Sequence, residues 1–87
     1  MSWRLVFTQQ AQKDAKKISQ AGLKPQTIQL LQILKTNPYM SPPHFEKLVG
    51  DFSGAYSRRI NIQHRLVYQI IEEIKTVKIL RMWTHYK

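Results

Sequence analysis

Apolar and polar residues alternate at the start of the chain. Trp3, Leu5 and Phe7 are apolar at every second position, which is the period of a half-buried strand. Thr8 is a residue type that caps helices, and helical spacing follows it to about Gln20. The apolar side of this predicted helix holds Phe7, Ala11, Ala15 and Ile18. The pattern predicts one strand followed by an amphipathic helix.

A second helix is predicted after Gly22, which ends the first. Pro25 suits a first helical turn, and Asn37-Pro38 closes the apolar stripe that follows it. This stripe consists of Ile28, Leu30, Leu31, Ile33 and Leu34. The two helices are therefore expected to form a hairpin.

The second half of the chain begins with a broken region and continues as strands. Residues 38–54 hold three of the four prolines and two of the three glycines, so we expect a loop with at most a short turn of helix or strand at 45–49. Runs rich in branched and aromatic residues at 55–60, 65–71 and 77–84 predict three antiparallel strands. Residues 1–87 then form a single α+β domain, with the N-terminal strand and helical hairpin packed on one face of an antiparallel sheet.

Charge points to an anionic partner. Fourteen lysines and arginines against five acidic residues give a net charge of +9, which favours nucleic acid or an acidic protein as a partner. The chain has no cysteine, no apolar run long enough for a membrane span and no visible secretory signal. Three scattered histidines and few carboxylates predict no metal or cofactor site. We expect a cytoplasmic protein.

Two arginines stand on either side of a polar connector. If the turn between the runs 55–60 and 65–71 centres on Ile62, Arg59 and Arg65 face each other across the sheet. Like charges directly opposite one another are destabilising, so the pair suggests a phosphate between them. The alternative is that each arginine reaches solvent independently. Arg58 and Arg81 are further candidates, although Arg58 alternates to the opposite face.

Acid and base chemistry has candidates in the loop and at the C-terminus. Glu46 can accept a proton from a ribose 2′-hydroxyl, but a surface glutamate paired with Lys47 or an arginine is the simpler interpretation. His85 can donate a proton near neutral pH, and Tyr86 can stack on a base or contact phosphate. Terminal residues are often inert, and His44 and His64 are competing histidines. The residues alone leave these assignments open.

Several segments together resemble the YoeB family of bacterial toxins, within the RelE-like superfamily. The most specific is the run at 50–68, with Ser-Gly-x-x-Ser-Arg-Arg-Ile followed by His-Arg-Leu-Val-Tyr. Residues 45–48 (Phe-Glu-Lys-Leu) and 82–86 (Met-Trp-Thr-His-Tyr) match as well. The resemblance covers the whole chain in length and order of elements.

This resemblance implies a ribosome-dependent endoribonuclease that cuts mRNA in the A site, without metal, and is silenced by an acidic YefM/Phd-type antitoxin. It implies roles for five residues in this chain: Glu46 as general base, Arg59 and Arg65 as phosphate-binding arginines, His85 as general acid and Tyr86 in substrate positioning. A homodimer is possible. The implied reaction is attack of the ribose 2′-oxygen on the adjacent phosphorus, giving a cyclic phosphate and a 5′-hydroxyl.

The chain departs from the family pattern at Val49, where the family usually has a lysine, so a cationic contact is missing or comes from Lys47.

Two other functions remain open. A non-catalytic ribosome or RNA binder would arrest translation and leave the message intact. A module that only binds an acidic protein would not affect translation on its own.

Overall fold

The computed structural model describes residues 2–50 and 54–85. Its elements in chain order are β1 (Arg4–Phe7), α1 (Gln9–Gln20), α2 (Lys24–Thr36), β2 (Phe45–Lys47), β3 (Tyr56–Arg59), β4 (His64–Ile71), a 3-10 turn (Glu72–Ile74) and β5 (Thr76–His85). The α+β class, the helical hairpin and the three-strand meander are confirmed. The loop region holds a true strand, β2, within the segment predicted to form a short turn of helix or strand.

The sheet has the order β1-β5-β4-β3-β2. The meander is antiparallel as expected, and β2 adds an antiparallel edge to β3. The N-terminal strand differs from the expected antiparallel sheet: β1 pairs in parallel with β5, Arg4 opposite Thr76. Two helices separate β1 from β2, and this long connection brings β1 to the far edge beside the C-terminal strand. The sheet is therefore mixed, with β5 between β1 and β4.

The helix signals in the sequence act as predicted. The Thr8 hydroxyl accepts a hydrogen bond from the Ala11 N–H at 3.0 Å and donates to the Leu80 carbonyl at 2.9 Å, which joins the start of α1 to β5. Gly22 has a φ of +76° between the helices, a conformation that favours glycine. Helices and sheet enclose a core formed by Ala11, Ile18, Leu30, Leu34, Ile60, Leu66, Tyr68, Val77, Ile79 and Met82. None of the described helices is long and apolar enough to cross a membrane.

A buried carboxylate joins α1 to β5. Thr84 and Arg81 stand opposite Arg65 and Val67, so β5 has two residues where β4 has one, which is a β-bulge. The N–H groups of the two bulged residues, Met82 and Trp83, donate instead to Oδ2 of Asp14 at 3.0 and 3.2 Å. Asp14 is only 1% exposed. It supplies the acceptor that the irregular ladder lacks.

Opposing effects act on the ionisation of Asp14. Burial raises the pKa of this carboxyl, whereas hydrogen bonds from the Met82 N–H, the Gln10 amide and the Trp83 N–H, together with the charge of Arg81, lower it. The balance is a pKa below the ordinary value of 3.8. Folding therefore favours the ionised form.

Replacing Asp14 by asparagine should destabilise the fold in a pH-dependent way. We expect Asp14→Asn to reduce the free energy of unfolding at pH 7 by about 1–3 kcal/mol, because the charged acceptor of two buried N–H groups is lost. A lowered folded pKa stabilises the protein fully above the unfolded value, near pH 4, and this contribution is lost as pH falls through the folded pKa. Urea unfolding at pH 7 and pH 3 should show the difference between wild type and variant shrinking in acid.

Glu73→Gln is the matched control, since Glu73 is an exposed carboxylate in the 3-10 turn. It should change stability little at either pH. A wild-type advantage over Asp14→Asn that stays constant from pH 7 to pH 3 would contradict the role of the ionised carboxylate.

Candidate active site

A short edge strand carries the candidate base. Glu46 is the middle residue of β2 and pairs with Ser57 of β3. Because side chains alternate along a strand, Phe45 and Lys47 point to one face of the sheet and Glu46 to the other. Phe45 pairs with the buried Arg58, so Glu46 occupies the face away from the core.

The predicted arginine pair is present in the sheet. Arg59 of β3 stands directly opposite Arg65 of β4, as a turn centred on Ile62 requires. Arg59 is two residues beyond Ser57 and shares its face, so both arginine positions lie on the same face as Glu46. Side chains at directly opposed positions have Cβ atoms about 5 Å apart. One phosphate can contact both guanidinium groups.

A cavity of about 290 Å³ opens beside Arg59. Its described lining comprises Pro43, His44, Glu46, Ser57 and Arg59. Glu46 and Arg59 are thus brought together, as expected, and His44 joins them. Sequence reasoning did not select Ser57, although its position two residues before Arg59 on a strand was sufficient to place it on this face.

The end of β5 lies on the other side of the arginines. Thr84 is opposite Arg65, and His85 is opposite His64. In the sheet order, β3 and β4 separate β2 from β5, so the two outer backbones are about 14 Å apart. The His85 side chain and the whole of Tyr86 lie outside the described residues.

Other candidates lie away from the cavity. The His64 side chain is 2% exposed, and its ring stacks on that of Trp83 with centroids 3.8 Å apart. Nε of Arg81 lies 3.9 Å from the Asp14 carboxylate. Arg58 is buried, as its alternation with Arg59 required. Among the competing histidines, His44 is the one whose described side chain lines the cavity.

The family lysine position is open to solvent. Val49 is 85% exposed. Lys47 pairs with Tyr56 and alternates away from Glu46, so strand geometry does not bring this lysine to the face of the cavity.

The arrangement combines a carboxylate with two cations and suits phosphate chemistry. Guanidinium groups bind phosphate oxygens through charge-assisted hydrogen bonds, and a nearby carboxylate can accept a proton. Among residues 2–50 and 54–85 there is no group of three histidines or carboxylates that could hold a metal ion.

Fold and site define a small basic α+β domain with a cavity lined by a carboxylate and an arginine. The model of the YoeB-like toxins of bacterial type II toxin–antitoxin systems matches residues 5–86, and the chain belongs to this family, with its RelE-like fold. No curated protein matches the sequence.

Solved structures agree with this assignment. The YoeB/ParE toxin from Agrobacterium tumefaciens is 27% identical, with a TM-score of 0.84 over 95% of this chain and 99% of that one. The YoeB dimer from Staphylococcus aureus is 31% identical, with a TM-score of 0.81 over 99% of this chain and 100% of its own. The DinJ–YafQ toxin–antitoxin complex of E. coli shares the fold, at 19% identity and a TM-score of 0.82 over 98% and 94% of the two chains.

The opposed arginines should make fold stability respond to phosphate. Because an anion bound only by the folded state stabilises it, millimolar phosphate should raise the melting temperature by about 4–8 °C per kcal/mol of binding. Arg59→Gln should reduce this shift, and it should cost little stability without phosphate because it also removes a like-charge pair. Arg4→Gln, an exposed arginine on β1, should respond as wild type does. Equal phosphate shifts in all three proteins would contradict an anion site at Arg59.

Proposed function

We propose that the protein is a ribosome-dependent endoribonuclease toxin that cleaves mRNA in the A site and so inhibits translation in the cytoplasm. The observation that carries this proposal is the shared face of Glu46, Arg59 and Arg65 beside a cavity, in a chain of the YoeB-like family. The non-catalytic binder remains the alternative, and it needs no carboxylate beside the arginines.

In the proposed reaction, the ribose 2′-oxygen attacks the adjacent phosphorus. Glu46 takes the 2′-hydroxyl proton, and Arg59 and Arg65 stabilise the charge that develops on the phosphate oxygens. The bond from phosphorus to the 5′-oxygen breaks, and His85 donates a proton to that oxygen. The products are a cyclic phosphate and a 5′-hydroxyl, and no step uses a metal.

Sheet order favours an acid at the end of β5 over His44. The register pairs Thr84 with Arg65 and His85 with His64, so the proposal requires His85 to reach the phosphate from the end of the strand. The attacking and leaving oxygens of a phosphoryl transfer lie roughly in line on opposite sides of phosphorus. Glu46 and His44 belong to the same edge of the sheet, whereas the end of β5 is across the arginine pair. A phosphate held by the arginines then has the base on one side and the C-terminal end on the other. Tyr86, one residue further on, is proposed to position the substrate.

An acidic antitoxin of the YefM/Phd type is the proposed protein partner. The relative from S. aureus has been solved as a YoeB–YefM heterotetramer. In this chain, a groove of about 490 Å³ runs between the helices, with exposed Phe7 and Ile28 and with Lys16 and Lys24 among its lining. An acidic amphipathic segment complements both features. A homodimer, as solved for the S. aureus toxin, is a further proposed assembly.

Cleavage on programmed ribosomes tests the proposed activity. Purified protein should cut message within the A-site codon and leave 5′-hydroxyl ends, as read by 5′-end mapping. Glu46→Gln and His85→Ala should each slow single-turnover cleavage by about 100-fold or more, because each removes a proton-transfer group. His44→Ala should retain most activity, and Glu73→Gln serves as the carboxylate control.

Arrest of translation with intact message would contradict the enzyme and support the non-catalytic binder. Loss of cleavage in His44→Ala with full activity in His85→Ala would show that His44, and not His85, is the general acid.

Restoring the family lysine should increase the rate. Val49→Lys adds a cation at an exposed position three residues after Glu46, and we expect roughly tenfold faster cleavage from about 1.4 kcal/mol of added transition-state stabilisation. Val49→Gln, which is long and polar but uncharged, is the matched control. Single-turnover rates on ribosomes would measure the effect. Equal rates for both variants would show that the cation is not needed here.

A further inference from the structure

Arg58 carries a buried cation that the proposed reaction does not use. Arg58 is 1% exposed. Because side chains alternate along β3, it points into the protein, on the face opposite to Arg59. Within the described residues, no carboxylate forms a salt bridge with this guanidinium. A charge in this environment is tolerated only where hydrogen bonds replace its hydration.

Three of the four hydrogen bonds of Arg58 go to the segment that precedes β2. Nη1 donates to the Pro43 carbonyl at 2.6 Å, and Nη2 donates to the carbonyls of Pro38 at 3.0 Å and Met40 at 2.7 Å. Nε donates to the Tyr68 hydroxyl at 3.0 Å. The guanidinium thus joins three carbonyls of one irregular segment to the middle of the sheet.

The same segment leads directly into the candidate site. Pro43, whose carbonyl accepts from Arg58, itself lines the cavity, and His44 and Glu46 follow it there. The aromatic ring of Phe45, between those two residues, lies 4.7 Å from the Arg58 guanidinium carbon, at a distance suited to a cation–π contact. Arg58 therefore contacts the chain on both sides of His44.

Arginine is the side chain that this arrangement requires. Four of its five N–H donors have partners here, spread over a planar fork. Lysine offers three donors from one nitrogen atom and cannot reach acceptors on several sides of the fork at once. A replacement that keeps only the positive charge, such as lysine, would leave carbonyl oxygens of residues 38–43 without their donors.

We propose that Arg58 is a positioning residue, which orders residues 38–43 and thereby sets the place of Glu46 opposite Ser57 for proton transfer. The inference rests on the proposed ribonuclease function. Arg58 contacts no substrate. Its adjacent partner Arg59 binds the anion, and Arg58 fixes the strand edge that carries the base.

Hydrogen exchange measured by NMR tests the structural half of this proposal without reference to activity. In Arg58→Lys, the amides of Glu46 and Leu48, which face β3 in the β2–β3 ladder, should exchange at least tenfold faster, while those of Ala11 and Tyr68 in the core exchange as in wild type. Arg4→Lys, the same substitution at an exposed position of β1, should leave every one of these rates unchanged. Unchanged exchange at Glu46 and Leu48 in folded Arg58→Lys would overturn the proposal.

Single-turnover cleavage on programmed ribosomes tests the functional half. Arg58→Lys should lower the rate at saturation by about 10- to 100-fold and leave the half-saturating ribosome concentration within twofold, because Arg59 and Arg65 still bind the anion. Loss of binding with an unchanged saturated rate would overturn the positioning role. A wild-type cleavage rate in a variant with faster exchange at Glu46 and Leu48 would overturn it as well.

A second variant covers the case in which Arg58→Lys fails to fold. Tyr68→Phe removes only the hydroxyl that accepts from Nε, leaving all three segment carbonyls bound, and it should reduce the saturated rate by a few-fold at most. A reduction as large as that expected for Arg58→Lys would overturn the assignment of the effect to the segment. If the wild-type protein cleaves no message, the proposed function fails, and the exchange rates still decide whether Arg58 orders residues 38–43.

Discussion

The hydrogen bonds from the β5 bulge to the Asp14 carboxylate are the contact on which the site and the core both depend. β5 pairs with β1 on one side and with β4 on the other, so its course sets the position of both neighbours. In the bulge, two N–H groups of β5 point out of the β-ladder. Both donate hydrogen bonds to the carboxylate of Asp14 on α1, which is almost fully buried. These hydrogen bonds hold α1, β5 and Thr84, opposite Arg65, in one register.

Adjacent arginines have opposite roles because a strand alternates. Arg58 and Arg59 are chemically identical, yet one is turned to the core and one to the cavity. The inward arginine is stabilised by carbonyl dipoles and a phenol, and the outward one stands opposite a second arginine, Arg65 of β4. A cation is thus used once to build the edge of the site and once to attract an anion to it.

The sequence predicts those parts of the fold and the site whose signal lies in neighbouring residues of the chain. The meander followed from β-branched and aromatic runs, and the pairing of Arg59 with Arg65 followed from the length of one connector. The parallel pairing of β1 could not be predicted, because it depends on a partner about 70 residues away in the chain. Asp14 was missed although it sits among Ala11, Ala15 and Ile18 on an apolar helix face. The N–H donors that need its carboxylate, those of Met82 and Trp83, lose their ladder partners only in the bulge of β5. Alternation placed Arg58 on the inner face, but its partners are carbonyls, which no side-chain pattern reports.

The distribution of charge gives the two ends of the sheet different characters. β4 begins beside Arg65 and ends in the turn that carries Glu72 and Glu73, so these two carboxylates lie at the end remote from the cavity. Among the described acidic residues, Asp14 is buried and Glu46 is the one at the arginine end. The carboxylate that remains at the cationic end costs affinity for an anion, and its presence there is explained if it accepts a proton.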